Sequence, residues 1–198
     1  MESDDTSPRT VVGSTPGGLD GYLGDLLVAL GVEDPEALSN TPRRWASWLS
    51  SFGNHKRLTP TAILRPIFPI ENGELVLVKD ILYTAMCLHH ALPFRGKAAV
   101  GYIPDDGVVG LSKLPRLVQF YADNFTLQEI ITSRVADAIQ EVLHPKGAMV
   151  VLYASEHQCM SVRGIKDTHA RTVTSAVRGV FRTNDAGCKD EFLQLIRL

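Results

Sequence analysis

Cys87-Leu88-His89-His90 and His157-Gln158-Cys159 stand about seventy residues apart, yet their residue types suit one shared site. Two soft thiolates and an imidazole from this cluster can hold one zinc ion tetrahedrally. Three protein ligands leave the fourth position for water, the pattern of a catalytic centre and not of a closed structural one. A fold for this chain must therefore bring two distant segments to a single point. The chain has three cysteines, an odd number, and two of them lie beside histidines. That favours metal or catalytic use in a reducing, cytoplasmic compartment over a disulfide framework. Cys188, in a Gly/Asp/Lys-rich stretch, reads as an incidental thiol in a turn.

The chain is 198 residues long, enough for a sizeable core. Its formal net charge of -2 argues against a general nucleic-acid binder. No run of about eighteen apolar residues predicts a membrane span. The start, Met1-Glu2-Ser3-Asp4-Asp5, lacks the basic and apolar regions of a secretory signal.

Residues 1–18 are rich in Ser, Thr, Pro and Gly and read as a flexible tail. Residues 19–53 read as a helical region: Leu23, Leu26, Leu27 and Leu30 recur at helical spacing up to Gly31. Thr41-Pro42 looks like the start of a second helix, with Trp45, Trp48 and Leu49 as its packing face. Residues 54–198 hold the remaining pattern. A proline-rich loop is expected to 72, then strands over Glu74–Tyr83 and Ala98–Ile103 and a turn at Pro104-Asp105-Asp106-Gly107. Helices over Ser112–Tyr121 and Leu127–Leu143 follow, then strands over Ala148–Ser155 and Arg171–Arg182. This order predicts an α+β fold, an antiparallel sheet with helices on one face.

Several segments together resemble the GTP cyclohydrolase I family: Cys87 through Lys97, Gly110 through Arg116, Leu127-Gln128-Glu129, His157 through Gly164, Thr172 through Ser175, and Glu191-Phe192-Leu193. The resemblance spans roughly residues 20–198. It implies the tunnelling fold, whose sheets join into a barrel in a homo-oligomer. The usual assembly is a decamer of two pentamers with active sites at subunit interfaces.

The resemblance also implies a chemistry. Cys87, His90 and Cys159 match the zinc ligands, and His157 and His89 the groups that move protons. Lys113, Arg116 and Arg163 match the contacts to a triphosphate, to which Arg43 or Arg44 of a neighbouring subunit can add. Glu129, with Gln128 before it, corresponds to the carboxylate that reads the N1–H and 2-amino edge of guanine. Ser112, just before Lys113, is placed to hydrogen-bond the ribose or its opened form and is counted with the catalytic residues. The implied reaction is hydrolysis of GTP at guanine C8, loss of formate, and rearrangement to 7,8-dihydroneopterin triphosphate. His55, His144 and His169 match nothing catalytic.

One position departs from the pattern. The family's zinc segment reads Cys-Glu-His-His, and this chain has Leu88 in the glutamate position. Leucine cannot accept a proton or orient an imidazole. The ordinary reaction without that glutamate is the first expectation. A site that stops at a ring-opened formamide or takes a related purine nucleotide is the second, and a non-catalytic GTP-binding scaffold the third.

Overall fold

The computed structural model describes residues 18–53, 58–71, 73–184 and 187–198. Most of the expected tail, and His55, lie outside the described residues. The chain divides into two units, one ending at Ser51 and the other running from Phe52 to Leu198.

The first unit contains helices α1 (Gly18–Ala29) and α2 (Pro35–Leu49). Leu23 and Leu27, one turn apart, are the buried positions of α1. The expected start of α2 at Thr41-Pro42 is corrected. The same cap-then-proline pattern occurs seven residues earlier, at Asp34-Pro35. Asp34 Oδ1 accepts the N–H groups of Glu36 at 2.8 Å and Ala37 at 3.2 Å, closing the helix start there. Pro42 is then buried inside the helix at the expense of one backbone hydrogen bond. Trp45 and Trp48 remain 42% and 43% exposed, so neither is a core residue.

The second unit contains, in chain order, α3 (Pro60–Ile63), β1 (Ile67–Pro69), β2 (Val76–Cys87), β3 (Pro93–Ile103), β4 (Gly107–Val109), α4 (Lys113–Ala122), β5 (Phe125–Thr126) and α5 (Gln128–Leu143). It continues with β6 (Gly147–His157), α6 (Gln158–Ser161), β7 (Thr172–Gly179), α7 (Val180–Thr183) and α8 (Cys188–Leu195). Among the described residues, five strands form one sheet in the order β5-β2-β3-β6-β7, and β1 pairs with β4. The long strands are antiparallel, and β5 runs parallel to β2. The α+β expectation therefore holds. No helix among the described residues is long and apolar enough to cross a membrane.

A bulge sets which side chains of β2 face the core. Val78 pairs with Val100, but the next pair is Ile81 with Ala98, and Asp80 between them has φ 57°. One extra residue reverses the alternation. Val76 and Val78 face the main core before it, and Ile81, Tyr83, Ala85 and Cys87 after it. Against this face pack Leu114, Leu117 and Val118 of α4 and Ile131, Val135 and Ile139 of α5.

Helices on one face only is corrected. Phe181 of α7 and Phe192 of α8 pack on Ala99, Met149 and Val151, which point from the opposite face. The expected strand to Arg182 ends at Gly179, whose φ is 56° and whose added Cβ would collide with the Lys146 carbonyl oxygen. The chain turns there into α7. Cys188 is likewise buried at the start of α8, its Sγ 3.6 Å from the Val180 carbonyl oxygen, and is not an incidental turn thiol.

Candidate metal centre

Strand register accounts for the meeting of the two Cys/His segments. Cys87 ends β2, where it pairs with Thr126 of β5 and so adjoins the N-terminus of α5. In the neighbouring strands, Phe94 of β3 pairs with His157 at the end of β6, and α6 then carries Cys159. The segments therefore converge at one end of the sheet.

Cys87 is buried. After it the chain turns sharply: the N–H of Ala91 bonds the Cys87 carbonyl at 2.8 Å, and Ala91 has φ 51°. The turn swings His90 back, leaving its Nδ1 3.7 Å from Cys87 Sγ. Donor atoms of Cys87, His90 and Cys159 all lie within 4.8 Å of one another. Zinc bonds of about 2.3 Å to sulfur and about 2.0 Å to nitrogen in a tetrahedron separate the two donors by roughly 3.6 Å. The residues fit a tetrahedral ion. Burial first, and then the neighbouring Cys87, push the Cys159 thiol above its usual value, while Arg163 draws it down.

His89 is exposed beside His90, their rings edge to face with centroids 6.1 Å apart. His157 is held more firmly. It stacks on Phe94 with centroids 4.6 Å apart and planes 6° from parallel, and its Nε2 lies 2.8 Å from Gln128 Oε1. Phe94 in turn meets the Tyr83 ring edge-on at 6.2 Å. Burial pushes the Tyr83 hydroxyl up to about 12, and it pairs with Ser155 at 2.7 Å. Burial lowers the His157 pKa, and the Glu129 charge opposes that. His157 is therefore mainly the neutral imidazole at pH 7.

Within the second unit, the other expected site residues are spread more widely. Glu129 is exposed in the first turn of α5. It lines a hollow of about 510 Å³ with Thr132, Thr174, Arg178 and Arg182. Gln128 is 1% exposed and turned inward. Ser112 is the exposed N-cap of α4 and makes no capping bond with its side chain. Lys113 and Arg116, on α4, line a hollow of about 270 Å³ with Leu58, Gln119 and Asp123. That hollow shares no lining residue with the one bordered by Glu129. Arg163 is exposed in the segment after α6, and Arg43 and Arg44 are exposed on α2 of the first unit. Sequence reading missed Phe94, Thr132 and Thr174 as members of the site. Phe94 and Thr174 lay within the segments that carried the family resemblance, but no role was assigned to either there.

Three donors from two distant segments, with a positioned histidine two residues from one of them, define a candidate hydrolytic metal centre on an α+β scaffold. Comparison with known proteins narrows that class. The GTP cyclohydrolase I family model matches residues 22–197. The chain is 48% identical to a GTP cyclohydrolase 1 of Bacillus pumilus over 87% of this chain and 92% of that protein. It is 50% identical to one of Halalkalibacterium halodurans over 87% and 92%, and 48% identical to one of Bacillus subtilis over 87% and 90%. The chain belongs to the GTP cyclohydrolase I family and is an enzyme of that type, a hydrolase.

Proposed function

We propose that this enzyme opens the imidazole ring of GTP at C8, releases formate, and recloses the product as 7,8-dihydroneopterin triphosphate. Two waters enter, one at ring opening and one at formamide hydrolysis, and one leaves on reclosure. The reading rests first on the Cys87–His90–Cys159 cluster, whose donors lie within 4.8 Å of one another. These three residues would hold zinc. When bound, zinc supplies Lewis acidity and lowers the pKa of water toward neutrality.

The remaining work falls to side chains of this chain. His157, mainly neutral and held by Phe94 and Gln128, takes up and returns the proton at the guanine ring nitrogen. His89, exposed and next to His90 in sequence, serves as a second proton donor. Glu129 accepts the N1–H and 2-amino hydrogens of guanine, a pair adenine does not present. Lys113, Arg116 and Arg163 bind the triphosphate, Arg43 or Arg44 of a neighbouring subunit adds to it, and Ser112 bonds the sugar. The hollow lined by Lys113 and Arg116 shares no lining residue with the one lined by Glu129, which supports a site completed between subunits. A decamer of two pentamers in the tunnelling fold fits this. So do the edge position of β7 and its outward Val173, 61% exposed.

Leu88 is 56% exposed, and its N–H bonds the Thr126 carbonyl at 3.1 Å. That backbone bond is independent of the side chain, so the leucine leaves the ligand turn in place. This supports the ordinary product over a formamide end-point. Cys159→Ala is expected to abolish both zinc retention and turnover. Full turnover by protein freed of zinc would overturn the mechanism.

A further inference from the structure

Gln128, expected from the sequence to touch substrate, is 1% exposed, and both ends of its amide are engaged inside the chain. The hydrogens in its network can be assigned one by one. The hydroxyl of Thr132 donates to the Gln128 backbone carbonyl at 2.7 Å, a bond across one helical turn. Its single hydrogen is then used. The Thr132 and Thr174 hydroxyls lie 2.7 Å apart, so Thr174 must be the donor of that pair. Thr174 is left with lone pairs only toward Gln128, and it accepts from Gln128 Nε2 at 3.0 Å. The same Nε2 reaches the Leu152 carbonyl at 3.4 Å, which also can only accept. Two acceptors therefore fix the amide orientation, and Oε1 is the atom that faces His157 Nε2 at 2.8 Å. An amide oxygen cannot donate, so His157 Nε2 carries the hydrogen.

The geometry points to Gln128 as a positioning residue that holds His157 in the Nε2–H tautomer, leaving Nδ1 as the atom that exchanges protons with substrate. This rests on the reading of His157 as the acid/base group. The control runs through two backbone carbonyls, those of Gln128 and Leu152. With Phe94 stacked on the ring, both the plane and the tautomer of the imidazole are set before substrate arrives.

The test begins with zinc-loaded protein labelled with ¹⁵N-histidine, studied by magic-angle-spinning NMR, the His157 signals identified by their loss in His157→Asn. The expected result is a pyrrole-type Nε2 and a pyridine-type Nδ1; the reverse pattern would overturn the proposal. Kinetics supply the second arm. Gln128→Leu is expected to lower kcat at least tenfold with zinc content and the KM for GTP within twofold of wild type. Gln128→Glu restores an acceptor opposite Nε2 and should recover most of that loss. A raised KM with unchanged kcat in Gln128→Leu would make Gln128 a substrate contact and overturn the proposal. Wild-type turnover by His157→Asn would instead overturn the underlying role of His157, a failure distinct from a reversed tautomer.

Discussion

Phe94 and His157 are direct partners across β3 and β6, and their rings stack with centroids 4.6 Å apart. The register that builds the sheet thus also sets the plane of the imidazole. Phe94 is 1% exposed, so Phe94→Ala would cost about 3–5 kcal/mol as a core cavity and say little about catalysis. Phe94→Leu keeps most of the volume. It should stay folded with full zinc content while kcat drops several-fold, measured by steady-state turnover of GTP. Unchanged kcat would show that the stack is only packing.

The meeting of Cys87 and Cys159 predicts a proton count. Burial and the neighbouring Cys87 raise the Cys159 thiol, so Cys159 holds its proton at neutral pH in the absence of metal. Zinc takes its cysteine ligands as thiolates, so its binding should release the Cys159 proton at pH 7. Cys159→Ala, expected to retain no zinc, should release none. Titration of metal-free protein in weak buffer with a pH indicator checks this.

Glu129 carries the proposed recognition of guanine from the exposed first turn of α5. Hydrogen bonds to a charged acceptor are worth about 1.5–3 kcal/mol. Glu129→Gln should therefore lower kcat/KM for GTP by about tenfold to a hundredfold and narrow the preference for GTP over ATP. Unaltered discrimination in paired assays would remove Glu129 from that role.

How far these residues could be read in advance depended on the kind of signal each gave. Ile131, Val135 and Ile139 recur at helical spacing, and α5 follows the expected span to within a residue. The apolar strands β3 and β6, buried in continuous runs, were equally plain in type, though both run on to the centre, to Pro93 and His157. The bulge at Asp80 left no mark in the sequence, because a non-glycine residue adopts the positive φ. Pro42 suggested a helix start, but Asp34-Pro35 offered the earlier cap. The convergence of the Cys/His segments was legible from donor chemistry alone. The inward turn of Gln128 was not, since a glutamine beside a glutamate in a first helical turn reads as surface until strand β7 supplies Thr174.

The Asp137–Arg178 pair links α5 to β7 and gives a pH prediction. Arg178 Nε donates to Asp137 Oδ1 at 2.7 Å, and this bond holds the carboxyl below its ordinary value. A depressed carboxylate contributes stability that is complete above its unfolded pKa, near about 3.9. That contribution is lost as pH falls through the lower folded value. The Asp137 side chain is 44% exposed, so solvent screening holds the pair to about 0.2–1 kcal/mol. The stability gap between wild type and Asp137→Asn should be constant from about pH 7 to 5 and close below about pH 4. Urea unfolding across that range tests it, and a gap that persists at the acid end would contradict the assignment.

In the proposed reaction one centre, built from Cys87, His90 and Cys159 and served by His157, carries GTP through to the reclosed pterin. Its most direct test is to incubate zinc-loaded protein with GTP, identify the product by liquid chromatography and mass spectrometry, and count formate released per GTP consumed. Equal amounts of formate and 7,8-dihydroneopterin triphosphate are expected. Accumulation of a ring-opened formamide without formate, or intact GTP despite a filled zinc site, would contradict that reaction and mark Leu88 as the residue that changed it.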